Sequence, residues 1–583
     1  MPMSKKTKPD AHPKTSPPSD GGERRLYSPP LQKAPKIKVC WSYPADYVIA
    51  MSSLGYLNLF KQLDMDPEIE VHRTYTDQLS PGQLSNSLNT PHDWVGFSFS
   101  FELDIFNILK TLNALGVPTQ SIDRSASDPL VFAGGPVVMT NPEPYADFFD
   151  FFLIGEGEGL MEDLKVAYLN LKDACGSRLE LLTELAKQVQ GLYVPSLYEV
   201  TYASDQGPIQ SIQPKSERVP FPVQKRFLSL KEMETTLATS PILTTNTIFS
   251  EIFLVEVVRG CAHRCRFCLA SYSMLPARGA GLGAIEAAIE EGLKHTPKIG
   301  LVGALIADHP EFEALCEKLL ARMKQGENIR LSSASLRADT LSPVIAEAFK
   351  QGGQKQLTIA VESGSEWLRR RINKNLKESD IFKAAETVSQ AGLKGLKIYG
   401  MVGLPDETDE DIDAMADLMR RLKKAFPKLE FHLGCSSFVP KAATPFQWMP
   451  RPDNSTIDKR FERLRKGTLK TCDFRPSSTK WDFVQAVFSR GDRRLAPVIE
   501  RYGEIGASFG SLNRAVKALR AEGRIDFPNL EWYALRERPE TEILPWDVLH
   551  LGVDKPILFK EGQLPPGLEK RPPLGHKSIP ASV

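Results

Sequence analysis

The sequence predicts an α/β chain of 583 residues, in which a parallel, doubly wound domain precedes a partial (β/α)6 TIM-type barrel and a small α-rich C-terminal domain. Three observations predict it. Apolar strand-like runs alternate with helical patterns between residues 37 and 195, the alternation returns in six units between Ile252 and about Phe438, and glycine-containing turns follow several apolar runs. The length itself calls for several cores.

In chain order, residues 1–36 are rich in Lys, Pro, Ser and Asp, hold almost no large apolar residue before Leu26, and are expected to form a disordered tail. The domain 37–195 reads as strands Ile37–Trp41, Trp94–Phe99, Leu130–Ala133 and Phe151–Ile154, with helices over Ser53–Leu63 and near Asp104–Leu115. Its turns at Gly134-Gly135-Pro136 and Gly155-Glu156-Gly157-Glu158 fall beyond strand ends, where open α/β sheets bind ligands. Residues 196–249 mix Val, Tyr, Ile and Pro with turn formers and read as an extended connector. In the core 250–450, strands are expected at Ile252–Val258, Ile299–Val302, Ile329–Ser333, Leu357–Val361, Leu396–Met401 and Glu430–Phe438, with helices such as Gly283–Lys294, Glu311–Lys324, Pro343–Gln351 and Glu410–Ala425 between them. A C-terminal domain over 451–560 and a proline-rich flexible tail over 561–583 complete the chain.

Composition is globular, with 42% hydrophobic and 25% charged residues, and a formal net charge of +1 gives no electrostatic case for nucleic acid or an anionic membrane. No apolar run approaches the ~20 residues of a spanning helix, and the first residues are polar where a signal peptide is apolar. A cytoplasmic protein without a membrane span is expected. Eight cysteines are too sparse for a disulfide framework.

Three of them concentrate the chemistry. Arg259-Gly260-Cys261-Ala262-His263-Arg264-Cys265-Arg266-Phe267-Cys268 places thiols at C-x3-C-x2-C directly after the first barrel strand, at the strand end where barrel enzymes work. Thiolates select zinc, copper(I) or iron–sulfur clusters. Structural zinc normally takes two separated pairs, and although His263 offers a fourth ligand, Cys40, Cys175, Cys316, Cys435 and Cys472 stand alone. A 4Fe-4S cluster needs four ligands, so three cysteines leave one iron open.

The motif resembles that of the radical S-adenosylmethionine (SAM) enzymes, C-x3-C-aromatic-x-C, read here as Cys261, Cys265, Phe267 and Cys268. The resemblance implies that SAM chelates the open iron of a 4Fe-4S cluster and that reductive cleavage yields a 5′-deoxyadenosyl radical. It implies further contacts one residue at a time: Phe267 and Gly403, in Gly403-Leu404-Pro405-Asp406-Glu407-Thr408, near adenine; Gly303 near the methionyl amino group; and Glu362 near the ribose. In Ser335-Leu336-Arg337-Ala338-Asp339, Ser335 would contact the cofactor and Arg337 would meet the SAM carboxylate. For Arg337 a surface salt bridge with Asp339 or Glu347 is the alternative. The Arg369, Arg370, Arg371 and Lys374 group reads as a solvated helix face rather than a nucleic-acid site. Trp448 reads either as closing the pocket or as core.

Upstream, Gly96-Phe97-Ser98-Phe99-Ser100, Gly134-Gly135 and Gly155-Glu156 together resemble a cobalamin-binding domain, which implies a flavodoxin-like fold and cofactor contacts from Ser98, Ser100, Gly134, Gly135, Gly155 and Glu156. The D-x-H-x-x-G motif that supplies a cobalt-ligating histidine in many members is absent. Cobalamin bound without that histidine and an empty relic domain are therefore both readings. The expected activity is radical SAM chemistry with cobalamin, for methyl transfer or rearrangement of an unknown substrate, fed by a reductant such as flavodoxin or ferredoxin. The alternatives are methylthiotransferase-like sulfur insertion, for which the N-terminal cysteines are too few, and a non-catalytic iron–sulfur sensor or scaffold.

Overall fold

The computed structural model describes residues 22–30, 35–79, 90–235, 237–506, 508, 510–524 and 526–569. A short strand β1 (Glu23–Arg25) comes first. Strands β2 (Ile37–Ser42), β3 (Ile69–Thr74), β4 (Trp94–Ser98), β5 (Leu130–Gly134), β6 (Phe151–Leu153) and β7 (Leu192–Tyr193) then form one sheet in the order β3-β2-β4-β5-β6-β7. All pairs are parallel except β6–β7. This is the doubly wound, flavodoxin-like order, whose reversal of direction next to β2 opens a crevice beyond the carboxyl ends of β2 and β4. The sheet is aromatic at its centre: Trp41 and Phe132 crowd the space over Gly96, where a Cβ would lie 2.7 Å from the Phe132 ring. Strand β3 escapes the apolar pattern because it is an edge strand, Ile-Glu-Val-His-Arg-Thr, buried only at its two ends.

The connector holds a hairpin of β8 (Tyr198–Tyr202) and β9 (Ile209–Pro214), then β10 (Val223–Gln224) and β11 (Ile242–Thr244). Strand β11 pairs antiparallel with β1. That pairing corrects the expected tail over 1–36. Arg25 also binds Asp64 at 2.8 Å and Arg73 binds Glu23 at 2.6 Å, so residues 22–30 gain partners that composition alone does not reveal. Residues 1–21 and 31–34 lie outside the described residues, as do 570–583 of the expected C-terminal tail. Within that tail, the carbonyl of buried Leu568 accepts from the Trp367 indole at 3.2 Å.

The second array comprises β12 (Phe253–Arg259), β13 (Arg278–Gly279), β14 (Lys298–Gly303), β15 (Arg330–Ser333), β16 (Gln356–Glu362), β17 (Gly395–Val402), β18 (Glu430–Ser437) and β19 (Asp473–Pro476). Two sheets, β13-β12-β14-β15 and β16-β17-β18-β19, are joined by a parallel bridge between Leu336 and Ile359. Apart from the antiparallel β13, every strand is parallel to its neighbours, which gives the partial barrel. The parallel series extends past the expected boundary at 450 through β19, a short polar strand whose sequence carries no apolar run.

Helix ends follow local chemistry. Ser342 caps Pro343–Gln351 by accepting from Ile345 N–H, with proline at the first turn where its missing N–H is harmless. Asp409–Ala425 begins with three acidic residues and ends with Lys423 and Lys424, as the helix dipole favours. The C-terminal region is helical, over Thr479–Arg490, Ala496–Ile505 and Ser511–Ala521, before the short β20 (Leu549–His550). Its core is continuous with that of the N-terminal sheet. Phe106 meets Tyr502 edge-on at 4.5 Å. Among the described residues, no helix is long and apolar enough to cross a membrane.

Candidate active site

The cysteine loop leaves β12 through Gly260, at φ +79°, where a side chain would strike the carbonyl of Met274. Arg264 also adopts a left-handed conformation, φ 53°, and the segment that steadies it is Asn373, φ 57°. The Asn373 side-chain amide donates to the carbonyls of His263 and Arg264, both at 2.9 Å, and the Asn373 carbonyl accepts from the Cys265 thiol at 3.8 Å. Burial pushes the Cys265 thiol up to about 12, Lys374 and Arg337 pulling against it while Cys268 and Glu362 reinforce it. Cys268 is also raised, by burial first and partly through Cys261, so the three sulfurs sense one another in sequence. An unmetallated loop thus keeps Cys265 a neutral thiol, and a thiophilic metal is what converts it to thiolate. Among the described residues, no three His, Cys, Asp or Glu side chains converge tightly enough to hold a single metal ion. His263 is turned away to Asp308, at 2.6 Å.

Phe267, between the second and third cysteines, lines a cavity of about 700 Å3 in the barrel lumen together with Ser335 and Glu362. Those three expected residues are brought together. Glu362 ends β16 in a left-handed conformation, φ 68°, and is buried beside Lys374 at 3.2 Å. Arg337 forms a two-pronged pair with Asp339 at 2.9 and 2.8 Å through Nε and Nη2 and donates to the Lys374 carbonyl at 3.0 Å; the partner is the expected Asp339, but the arginine is buried rather than at the surface. Gly403 stands outside the lumen lining, and its N–H is taken by the buried Glu407 carboxylate at 2.6 Å. The solvated helix face expected at 369–374 is corrected. Arg369 and Arg371 are 0% and 2% exposed; Arg369 donates to the carbonyls of Leu376, Ser363 and Gly364, tying down the turn after Glu362. Trp448 is core, packed edge-on against Phe559 at 5.1 Å.

A second cavity, of about 320 Å3, lies between the N-terminal strand ends and the barrel. Ser98, Ser100, Gly134, Gly135, Gly155 and Glu156 all line it, and from the barrel side so do Gly260 and Gly303. Three separated sequence segments therefore converge on the face that meets the cysteine loop. Two of them also serve the fold: a side chain at Gly155 would strike the Arg226 carbonyl, and Glu156 pairs with Arg278 at 2.5 Å. Arg259 closes the same edge by binding Glu158 at 2.8 Å. Lys225, which the sequence did not single out, is buried in this lining; its ammonium donates to the carbonyls of Ser273 and Leu275 at 2.9 and 3.0 Å, and burial lowers it to about 8.

The two domains are strapped together by Ser489-Arg490-Gly491-Asp492-Arg493-Arg494. Asn141 donates to the carbonyls of Ser489 and Gly491 at 3.0 Å, and Arg493 binds Glu143 at 2.8 Å. Ser489, Gln485 and Lys441 converge on the buried Glu102; burial raises that carboxyl, but these three partners prevail and hold it below its ordinary value.

A partial barrel with a three-thiol loop at the end of its first strand defines an iron–sulfur enzyme. Residues 255–419 match the radical SAM superfamily and residues 64–195 match the N-terminal region of radical SAM proteins, so the chain carries a radical SAM domain preceded by the region that such proteins hold at their N-terminus. Its cofactors are accordingly a 4Fe-4S cluster and SAM. It is 29% identical over 412 residues to an uncharacterised protein of Methanocaldococcus jannaschii, covering 70% of this chain and 80% of that one. It is 27% identical over 191 residues to the tRNA-2-methylthio-N(6)-dimethylallyladenosine synthase of Sorangium cellulosum, covering 29% of this chain and 38% of that one. Among solved structures, the cobalamin- and cluster-bound methyltransferase TsrM of Kitasatospora setae superposes with TM-score 0.49 at 13% identity, over 84% of this chain and 100% of that one.

Proposed function

We propose that the chain is a cobalamin-associated radical SAM enzyme that cleaves SAM reductively and directs the radical to methyl transfer or rearrangement of a substrate, with a flavodoxin- or ferredoxin-type protein as reductant. One observation carries it: the thiol loop's Phe267 and the strand-end Glu362 open on one lumen, while the six N-terminal strand-end residues open on the adjoining crevice. Cys261, Cys265 and Cys268 would hold the cluster and the crevice residues the cobalamin, which when bound would supply an electron for SAM cleavage and a transferable methyl group respectively. The protein's share is placement. Glu362 presents a carboxylate able to accept from ribose hydroxyls, Phe267 walls the lumen beside the loop, and Asn373 fixes the loop's backbone.

Anaerobic reconstitution followed by iron, sulfide and corrinoid analysis tests this, with 5′-deoxyadenosine measured after dithionite and SAM. Expected are one 4Fe-4S cluster, bound corrinoid and 5′-deoxyadenosine, the cluster and the product being lost on Cys→Ala change at 261, 265 or 268. Material holding only zinc, or full product formation by all three variants, would sink the reading. Intact SAM would favour the sensor or scaffold. Sulfur insertion is the second reading, supported by the partial likeness to a tRNA methylthio enzyme. Against it, the described N-terminal domain offers Cys40, fully buried in β2, and Cys175, with no third cysteine for a second cluster.

A further inference from the structure

Side chains alternate across a strand. Leu396 and Ile398 of β17, like Phe431 of β18, are buried in the hydrophobic core. Lys397, Tyr399 and Met401, with His432, Gly434 and Ser436, face the lumen instead. The register sorts them into levels. Thr358, Lys397, His432 and Asp473 share one; Ala360, Tyr399, Gly434 and Arg475 share the next; Met401 and Ser436 pair above them, toward the cysteine loop. In a filled barrel, such levels hold bulky branched side chains. Here small and basic residues leave the chamber of about 700 Å3 open.

Charge in that chamber is unbalanced. Asp473 takes Arg475 at 2.7 Å and His432 at 3.4 Å, and Glu362 takes Lys374. Among the described residues Lys397 meets no carboxylate; it has the Tyr399 hydroxyl at 3.2 Å and lies 4.7 Å from that ring's centre. Tyr399 is itself 39% exposed despite its mid-strand position. Asp473 engages Arg475 through Nε alone and leaves its two terminal nitrogens toward solvent, the side chain being 74% exposed, so Lys397, with only a neutral partner, and that outer edge of the guanidinium one level away form an anion site beside the Asp473-paired His432.

We propose that this chamber is the substrate site and that it selects a substrate bearing a phosphate or carboxylate group, bound by Lys397 and Arg475 with His432 beside them. The proposal rests on the radical SAM reading for the direction of the radical, and the anion site stands on its own geometry. At a rise of about 3.3 Å per residue, the four residues from Lys397 to Met401 span about 13 Å. The anionic group is therefore anchored at roughly that remove from the SAM end, leaving the reacting carbon between, beside Tyr399.

The test titrates inorganic pyrophosphate and, separately, citrate into the cluster-reconstituted full chain, by calorimetry. Saturable binding of at least one is expected, weakened tenfold or more in Lys397→Met/Arg475→Gln and unchanged in Lys424→Met, an exposed helix lysine. Pyrophosphate alone identifies a phosphorylated substrate, citrate alone a carboxylate. No saturable binding of either, or binding equal in wild type and double variant, overturns the proposal. Wild-type 5′-deoxyadenosine formation, measured on the same sample, reports on the radical SAM reading alone, so the two fail separately.

Discussion

Asn373 and Arg264, both in left-handed backbone conformations and 109 residues apart, are joined by a 2.9 Å hydrogen bond from the asparagine amide to the arginine carbonyl. The loop that bears the three thiols is therefore shaped from across the barrel mouth as much as by its own sequence. Asn373→Ala removes two hydrogen bonds and leaves the carbonyls of His263 and Arg264 without that donor. A loss of about 1–3 kcal/mol in loop order is expected. The measurement is iron content after anaerobic reconstitution and desalting, which should fall well below wild type while the far-ultraviolet circular dichroism is unchanged. Full iron retention counts against this role.

Arg369 carries a charge into a fully buried position and satisfies three carbonyls there. Arg369→Ala leaves those carbonyls unpaired at the turn behind Glu362, and about 3 kcal/mol or more of unfolding free energy should be lost. Urea unfolding measures it. Arg370→Ala, on the exposed face of the same helix, should shift the midpoint little. Equal effects would return the group to the solvated face the sequence suggested.

Asp104 supplies a pH signature. Burial, helped by the charge of Glu102, raises its carboxyl from the ordinary 3.8 to about 7. A carboxyl raised in the fold binds its proton more tightly there, so its contribution is complete below about pH 3.8 and is lost as pH climbs through about 7. Asp104→Asn should therefore stabilise the protein at pH 8 by ~2 kcal/mol, after allowance for partial exposure, and leave it unchanged near pH 4. Chemical denaturation at both values decides. A gain of the same size at each pH contradicts the sign.

Arg493 holds Glu143, whose side chain is only 1% exposed and also accepts from the Tyr193 hydroxyl. Arg493→Met strands that carboxylate, and a cost of about 3–5 kcal/mol is expected. Limited proteolysis should release the N-terminal domain from the C-terminal helices sooner than in wild type. An unaltered digestion pattern would mean that the strap does not hold the domains.

Strong alternation made much of the architecture readable before any coordinates. The barrel strands and helices that the pattern named, from Phe253 to Ser437, lie within one or two residues of their expected limits because each such strand is a short apolar run and each such helix a periodic one; the helices Glu366–Arg371 and Glu378–Gln390 and the short β13 were not named. Edge strands β1, β3 and β19 were not legible, since pairing rather than hydrophobicity creates them. In the site, spacing located the thiols and the strand-end glycines. It could not orient a guanidinium: Arg337 and Arg369 look alike in sequence to surface arginines, and only the carbonyls and Asp339 around them reveal where they turn. Asn373 stands among basic residues that read as a solvated face, and its task depends on a left-handed backbone that residue type merely permits.

The thiol loop is also gripped by the far end of the fold. Glu561 binds Arg264 at 2.8 Å and accepts from the Tyr272 hydroxyl at 2.8 Å, and its carbonyl accepts from Arg266, 295 residues earlier. During synthesis the cysteines leave the ribosome long before the residue that buttresses them. The receptacle for the three thiols is therefore complete only once Glu561 has been made and folded back onto the loop.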